Sequence, residues 1–299
     1  DDGGTAVESA WTLTATGPTS ISGPGAADST DVVSGSSFDQ GTYTLSESEG
    51  PSGYSPSAWT CTNDVTVNGS NQIILGLGQS TVCTITNNDN SPSLTLAKVV
   101  DNNNGGTATA NQWTLTAVGP TGFSGPGPSI SNGASFDAGT YTLSESVALT
   151  GYTNGTSWVC VGGTQGDATH VTVALGESAT CTIHNSDNTP TLKLAKVVTN
   201  NDGGTAQPAD YTLSATAANP NDGRNFSDTG NSGISHNVFA GVNYTLAENP
   251  NPGVGYSSTG IWSCPGGTVT GDNVVSIPLG AAVTCTVTNT DNTPTLKLV

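Results

Sequence analysis

The chain has 299 residues and carries 23 acidic against 5 basic side chains, a formal net charge of −18. Such a field repels nucleic acid and anionic lipid, so we expect neither as a partner. Only 9% of the residues are charged, and no apolar run reaches the length of a membrane helix, so we predict no membrane span in this segment.

Three copies of one unit fill the sequence. Each copy contains the segment Asp/Asn-Gly-Gly-Thr, at Gly3, Gly105 and Gly203, which gives steps of 105 − 3 = 102 and 203 − 105 = 98 residues. The same motifs follow in the same order each time: aromatic-Thr-Leu, Tyr-Thr-Leu-x-Glu, Trp-x-Cys and Cys-Thr-x-x-Asn. The predicted β-sandwich repeats are residues 1–91, 92–189 and 190–293, with residues 294–299 as the first strand of a following repeat or a donor strand.

Short alternating segments of apolar and polar residues run through every copy. Examples are Tyr141-Thr-Leu-Ser-Glu145 and Cys181-Thr-Ile-His-Asn185, and Gly, Pro, Asn and Ser turns separate such segments. About seven strands in roughly 100 residues is the size of an immunoglobulin-like sandwich. A proline before each new copy, as at Pro190, favours a short and extended joint. We therefore predict an all-β protein, a rod of three tandem sandwiches.

Six cysteines are distributed two to a copy, with separations of 22, 21 and 21 residues. Each pair links the Trp-x-Cys strand to the last strand of its own copy, which favours an internal disulfide. A metal site is the alternative, but no Cys-x-x-Cys spacing or paired histidine supports it. Disulfides would place the protein outside the reducing cytosol. The predicted pairs are Cys61–Cys83, Cys160–Cys181 and Cys264–Cys285.

A lysine shares the core face of a predicted strand in the second and third copies. In the segment that begins at Thr191, a period of two aligns Leu192, Leu194 and Lys196 on one face. Burying that lysine is costly unless another group neutralises it. The same parity turns a glutamate and an asparagine of each copy inward. The predicted sets are Lys98, Glu145 and Asn185; Lys196, Glu248 and Asn289; and, without a lysine, Glu47 and Asn87.

These motifs resemble the collagen-adhesin B-type (CnaB) and prealbumin-like (SpaA-like) domains of Gram-positive surface proteins and pilins. The resemblance rests on Tyr43-Thr-Leu-Ser-Glu47 followed by Gly53-Tyr54, on its two later copies, and on the Lys and Asn positions, and it covers the whole chain. It implies that Lys and Asn join in a spontaneous isopeptide bond that the Glu assists. Burial suits this chemistry, because it favours the neutral amine of a lysine and the neutral carboxyl of a glutamate.

Two interpretations of the Lys–Glu–Asn sets stay open. A plain buried ion pair with the Asn as hydrogen-bond partner is the alternative to the isopeptide bond. The disulfides depart from the family pattern and could make the isopeptide bond redundant.

The first copy has no lysine strand, whereas Thr295, Leu296, Lys297, Leu298 and Val299 begin one that has no sandwich to join. Either the sequence is a window of a longer repetitive protein, or this strand completes the first copy of the next subunit. The second interpretation predicts a head-to-tail filament whose partners are copies of the chain itself. The donated strand would then stop before an inward lysine, so the first copy could not form the bond.

Asp- and Asn-rich joints, such as Asn87 to Asn90, offer oxygen ligands for Ca²⁺ but lack a fixed spacing. Turn-forming asparagines are the favoured explanation, and we predict no cofactor. No catalytic triad, phosphate loop or zinc motif occurs. We expect a non-enzymatic, extracellular stalk or filament of a bacterial surface. The alternative is an adhesin whose repeats bind glycan, ice or a host protein, but the tryptophans lie at core parity, which favours a scaffold.

Overall fold

The computed structural model describes residues 1–219 and 223–299. Each repeat consists of short β-strands and one described turn of 3₁₀ helix, so the predicted all-β class is confirmed. The three turns cover Glu8–Ala10, Ala110–Gln112 and Pro208–Asp210. Among the described residues, no helix has the length and apolar character needed to cross a membrane.

Packing divides the chain into two compact units. The first repeat lies entirely in one unit and the third repeat in the other, while the middle repeat contributes to both. The first unit comprises Asp1–Ala97, Thr114–Glu145 and Ser157–Thr182; the second comprises Lys98–Trp113, Ser146–Thr156 and Ile183–Val299.

The third repeat is a complete two-sheet sandwich. Its strands are β19 Thr191–Thr199, β20 Thr212–Ala217, β21 Phe226–Thr229, β22 Ser235–Asn237, β23 Asn243–Asn249, β24 Tyr256–Ser258, β25 Thr268–Thr270, β26 Val274–Ser276 and β27 Ala282–Asp291. One sheet has the strand order β21-β20-β23-β26-β25 and the other β22-β19-β27-β24. Strands β19 and β27 are parallel neighbours from the pair Thr191 and Ala282 to the pair Thr199 and Thr290.

Alternation along β19 explains its place in the sandwich. Leu192 and Leu194 are fully buried, and Lys196 follows them on the same face with 5% of its surface exposed. The core around them contains Tyr244 of β23 and Trp262 of the segment between β24 and β25. Burying a leucine or aromatic side chain contributes roughly 2 kcal/mol, so the two leucines fix which face of β19 points inward.

The second repeat follows the same plan. Its strands are β9 Ser93–Asp101, β10 Thr114–Val118, β11 Phe123–Pro126, β12 Ser129–Ser131, β13 Gly139–Glu145, β14 Tyr152–Thr153, β15 Val159–Val161, β16 Thr164–Gln165, β17 His170–Val173 and β18 Ser178–Asp187. The two sheets have the strand orders β11-β10-β13-β17-β16 and β12-β9-β18-β14, and β15 also pairs with β18.

The first repeat has one intact sheet, β2-β1-β3-β6, and a second sheet that is broken into the pairs β4–β8 and β5–β7. No described strand of this repeat occupies the place that β19 holds in the third. Cys83, Ile85 and Asn87 are therefore partly exposed, whereas their counterparts in β27 are at most 1% exposed. The strands are β1 Thr12–Thr16, β2 Ile21–Pro24, β3 Gly41–Glu47, β4 Tyr54–Pro56, β5 Thr60–Cys61, β6 Gln72–Leu75, β7 Cys83–Thr84 and β8 Asn87–Asp89.

All six cysteines form the predicted disulfides. The bonds join Cys61 to Cys83, Cys160 to Cys181 and Cys264 to Cys285. Cys160 and Cys181 face each other directly across β15 and β18, so this disulfide fastens the Trp-x-Cys strand to the last strand of its repeat.

Candidate crosslink site

The third repeat brings Lys196, Glu248 and Asn289 together in its interior. Lys196 Nζ lies 2.5 Å from Glu248 Oε2, and Asn289 Nδ2 donates a hydrogen bond to the same oxygen at 3.3 Å. The lysine and glutamate side chains are 0% and 3% exposed. In the parallel register Lys196 lies beside Val287, two residues before Asn289 on the inward face of β27. A glutamate of the facing sheet thus bridges a lysine and an asparagine from two adjacent strands.

The surroundings of Lys196 favour loss of its proton. Burial lowers the pKa of the Lys196 ammonium, and the hydrogen bond and charge of Glu248 oppose this only in part. The amine also lies 4.6 Å from the centre of the Tyr211 ring. A lowered lysine pKa increases the fraction of neutral amine, which is the nucleophilic form.

The amide of Asn289 is held between two acceptors. Its Nδ2 donates to the carbonyl oxygen of Pro252 at 2.9 Å as well as to Glu248. Two buried oxygens, Asn289 Oδ1 and Glu248 Oε1, have no hydrogen-bond partner among the described residues. A proton on the carboxyl would make it a donor, and an amide oxygen that accepts such a proton has a more electrophilic carbon.

This arrangement suits one reaction. The neutral amine of Lys196 would attack Cγ of Asn289, the Cγ–Nδ2 bond would break, and ammonia would leave with the proton that the amine loses. The product is a neutral secondary amide, so a buried ammonium no longer has to be compensated.

In the second repeat, Lys98 and Asn185 are buried, with 4% and 0% of their surfaces exposed. Lys98 Nζ lies 5.3 Å from the centre of the Trp113 ring. Glu145 is the last residue of β13. It is partly buried and lies opposite Leu115 of β10. The three predicted positions therefore face inward here too.

Asn154 belongs to the site of the second repeat, and the sequence analysis missed it. Its Oδ1 accepts hydrogen bonds from Asn185 Nδ2 at 2.8 Å and from Trp113 Nε1 at 3.1 Å. The Oδ1 of Asn185 accepts from the backbone N–H of Gly155 at 2.8 Å. The third repeat has Ser258 at the corresponding position, so no common motif reveals this contact.

The first repeat holds the glutamate and the asparagine without a lysine. Asn87 Nδ2 donates to Glu47 Oε2 at 2.9 Å. Both residues border an open cleft of about 600 Å³ together with Trp11 and Tyr54. Trp11 corresponds to Trp113, the ring beside Lys98. The cleft therefore has the ring, the carboxylate and the amide that surround the lysine in the complete repeats.

A buried aspartate follows each of these asparagines by two residues, and the sequence analysis did not single it out. Asp291 accepts hydrogen bonds from the backbone N–H groups of Asn201, Asp202 and Gly204 at 2.8–2.9 Å. Burial alone would raise its pKa, but these donors outweigh it and hold the pKa below the ordinary value. Asp89 and Asp187 bind the Gly-Gly loops of their repeats in the same way. Extending the inward parity from Asn289 by two residues would have found them.

These loops belong to the Asp- and Asn-rich joints that offer oxygen ligands for Ca²⁺. Carboxylate oxygens of Asp1, Asp2 and Asp89 lie within 4.8 Å of one another. Asp89, Asp187 and Asp291, however, all direct their carboxylates at backbone N–H donors, which compete with a cation. The absence of a cofactor stays a prediction, with Ca²⁺ at these loops as its alternative.

A known family of protein domains matches most of the chain. The sequence profile of the prealbumin-like fold domain matches the chain three times, over residues 1–85, 89–183 and 187–287. No curated protein sequence matches significantly.

Solved structures give more distant matches. The Bacillus anthracis TIE protein is 14% identical with a TM-score of 0.44, and the match covers 94% of this chain and 48% of that one. The major pilin T-13 of Streptococcus pyogenes is 14% identical with a TM-score of 0.31, covering 67% and 96%. A C-terminal fragment of the pilus adhesin SpaC from Lactobacillus rhamnosus GG is 12% identical with a TM-score of 0.34, covering 68% and 99%. The chain thus spans about half the length of the TIE protein.

Proposed function

The chain belongs to the family of prealbumin-like fold domains, and from this premise we propose that it is a non-enzymatic, load-bearing stalk or filament on the outside of a bacterial cell. The observation that carries the proposal is the pairing of β19 with β27. Tension enters the third repeat through β19 and leaves through β27. Because these strands are parallel neighbours, pulling shears all of their hydrogen bonds together.

We propose that an isopeptide bond ties these two strands in each complete repeat. In the third repeat the bond would join Lys196 to Asn289 with Glu248 as the proton-transfer group. In the second repeat it would join Lys98 to Asn185 with Glu145. The proposal is supported by the 2.5 Å approach of Lys196 to Glu248 and by the burial of both lysines. Load would then pass from strand to strand through a covalent bond.

We also propose that a strand from a second copy of the chain completes the first repeat. Support comes from the broken second sheet and from the open cleft beside Glu47 and Asn87. The segment Thr295–Val299 repeats the pattern of β19, and its Leu296 and Leu298 are each 85% exposed. Inserting such a strand would bury both leucines and pair the exposed edge of the repeat.

Single-molecule pulling on the whole chain tests the load-bearing role. We expect one unfolding extension, from the first repeat. The second and third repeats should give none, because a bond between the first and last strands prevents the chain between them from extending. In the third repeat the proposed bond spans 289 − 196 = 93 residues. An uncrosslinked repeat would add an extension on the order of 25 nm. Asn289→Ala should restore the third repeat's extension, whereas Asn87→Ala, its matched control, should add none. Three extensions from the unaltered chain would refute the proposal.

The adhesin alternative would be favoured by aromatic side chains clustered on a surface. The five tryptophans are instead between 0% and 8% exposed. A scaffold role therefore fits the burial of the aromatic residues better.

A further inference from the structure

The second and third repeats orient the amide of their buried asparagine through different partners. In the second repeat, Asn185 Oδ1 accepts from the backbone N–H of Gly155, and Asn185 Nδ2 donates to Asn154 Oδ1, both at 2.8 Å. In the third repeat, Asn289 Nδ2 donates to Pro252 O and to the glutamate of the site, and Asn289 Oδ1 has no hydrogen-bond partner among the described residues. The carbonyl oxygen of the amide therefore meets a backbone donor in the second repeat alone of these two.

Asn154 is itself held in one orientation. Its Nδ2 donates to the carbonyl oxygen of Ser146 at 2.7 Å, and its Oδ1 accepts from Trp113 Nε1 at 3.1 Å. An indole N–H can only donate and a backbone carbonyl can only accept, so these two contacts decide which end of the Asn154 amide faces Asn185. Because the acceptor end faces Asn185, that residue presents its NH₂ group to Asn154 and its oxygen to Gly155.

Gly155 brings its N–H to the amide because it lacks a side chain. A Cβ at this position would lie 2.3 Å from the backbone oxygen of His184 in β18, the strand that carries Asn185. A larger residue would therefore push the segment away from β18. At the corresponding positions the third repeat has Ser258 in place of the asparagine and Thr259 in place of the glycine, so it lacks both members of the arrangement.

We propose that the N–H of Gly155 is an oxyanion donor, and Asn154 a positioning residue, for the bond between Lys98 and Asn185. When the amine attacks Cγ, the Nζ–Cγ bond forms and an electron pair of the carbonyl moves to Oδ1, where the Gly155 N–H stabilises the negative charge. As the carbonyl forms again, the Cγ–Nδ2 bond breaks and ammonia leaves with the proton that the amine loses. Asn154 acts by keeping Oδ1 turned to the donor and Nδ2 turned away from it.

The consequence is an order of crosslinking within one chain. Loss of a single oxyanion donor slows enzymatic acyl transfer by about 10²- to 10³-fold. The third repeat lacks a described donor at Asn289 Oδ1, so its bond should form more slowly than that of the second repeat. The inference rests on the isopeptide bonds of the proposed function and adds which groups set their relative rates.

A time course of crosslinking in the freshly made chain tests this order. The whole chain is synthesised in a short cell-free pulse under oxidising conditions, samples are stopped in acidic denaturant at intervals, and peptide mapping gives the linked fraction of each repeat. Both linkages are measured in the same molecules, so synthesis and handling affect them alike. In the unaltered chain the Lys98–Asn185 linkage should form at least about tenfold faster than Lys196–Asn289. Equal rates, or the reverse order, would overturn the proposal.

Two substitutions of Asn154 test its positioning role. Asn154→Leu removes the acceptor, and Asn154→Ser is a milder change that introduces the residue of the third repeat. Both should slow the linkage of the second repeat by about tenfold or more and leave that of the third repeat unchanged. The matched control is Val173→Ala, which shortens a fully buried side chain of β17, in the sheet that does not contain Asn185. Native-state hydrogen exchange measures the stability that each variant loses. If Val173→Ala slows the linkage as much as an Asn154 variant of equal stability, Asn154 has only a structural role and the proposal is wrong.

Failure of this inference is distinguishable from failure of the proposed bonds. If neither linkage forms in the unaltered chain, the isopeptide bonds are wrong and this inference falls with them. If both linkages form and the rate in the second repeat does not depend on Asn154, the covalent ties stand and the roles given to Gly155 and Asn154 are wrong.

Discussion

Replacing Glu248 by alanine should destabilise the third repeat more than any comparable change in the first. The Lys196 side chain is fully buried, and its Nζ lies 2.5 Å from Glu248. Removing one partner of a buried ion pair costs about 3–5 kcal/mol, because the other charge is left uncompensated. The change would also prevent the proposed bond from forming, so this range is a lower limit.

The matched control is Glu47→Ala, at the same position of the first repeat. Glu47 accepts a hydrogen bond from Asn87 at 2.9 Å, and the first repeat contains no lysine. Loss of one such bond should cost about 1 kcal/mol. The comparison therefore isolates the effect of the buried lysine.

Native-state hydrogen exchange measures both variants repeat by repeat. Amides of β27 should lose protection by roughly 10²- to 10⁴-fold in Glu248→Ala, the equivalent of the expected free-energy loss. Amides of β8 should lose about tenfold or less in Glu47→Ala. Equal losses in the two variants would refute the account in which the buried Lys196 depends on Glu248, both for compensation of its charge and for formation of the proposed bond.

Three further results follow from the structure. Replacing Cys264 and Cys285 together by alanine should lower the free energy of unfolding of the third repeat by about 3 kcal/mol, measured by exchange, and an unchanged value would contradict the chain-entropy argument for a loop of this length. Folding lowers the pKa of Asp291. Its contribution to stability is therefore complete above the unfolded pKa of about 4 and is lost as the pH falls from there through the lower folded pKa. The chemical shift of the Gly204 amide should change over that pH range, and a chemical shift that is independent of pH would contradict this prediction. Asn154→Ala should cost roughly 1–3 kcal/mol in the second repeat, because Trp113 and Asn185 lose an acceptor, and a neutral effect would show that water replaces it.

Strand parity predicted most of the core and the inward residues of the site. Leu192 and Leu194 define the buried face of β19, and Lys196 lies on it because side chains alternate strictly. The repeats supplied the disulfide pairs, since each repeat contains only two cysteines. The prealbumin-like resemblance is confirmed by the family match.

Other features depend on contacts that leave no side-chain pattern. The partners of Asp291 are backbone N–H groups, which every residue but proline possesses. The turns at Leu175-Gly176 and Leu279-Gly280 look like ordinary turns in a chain with 39 glycines. Their leucines nevertheless pack against Gly53 and Gly151 of the preceding repeats. Parity also does not choose neighbours within a sheet, so the parallel pairing of β19 with β27, and the break in the second sheet of the first repeat, required the structure.

The intact mass of the unaltered chain under reducing conditions tests the central claim most directly. Each isopeptide bond removes one ammonia, about 17 Da, so the account predicts a loss of two ammonia molecules from the sequence mass. Peptide mapping should place the linkages at Lys98–Asn185 and Lys196–Asn289 and find an unmodified amide at Asn87. A reduced chain at its full sequence mass would show that the lysines are held by ion pairs alone and would contradict the claim that covalent bonds carry load through these repeats.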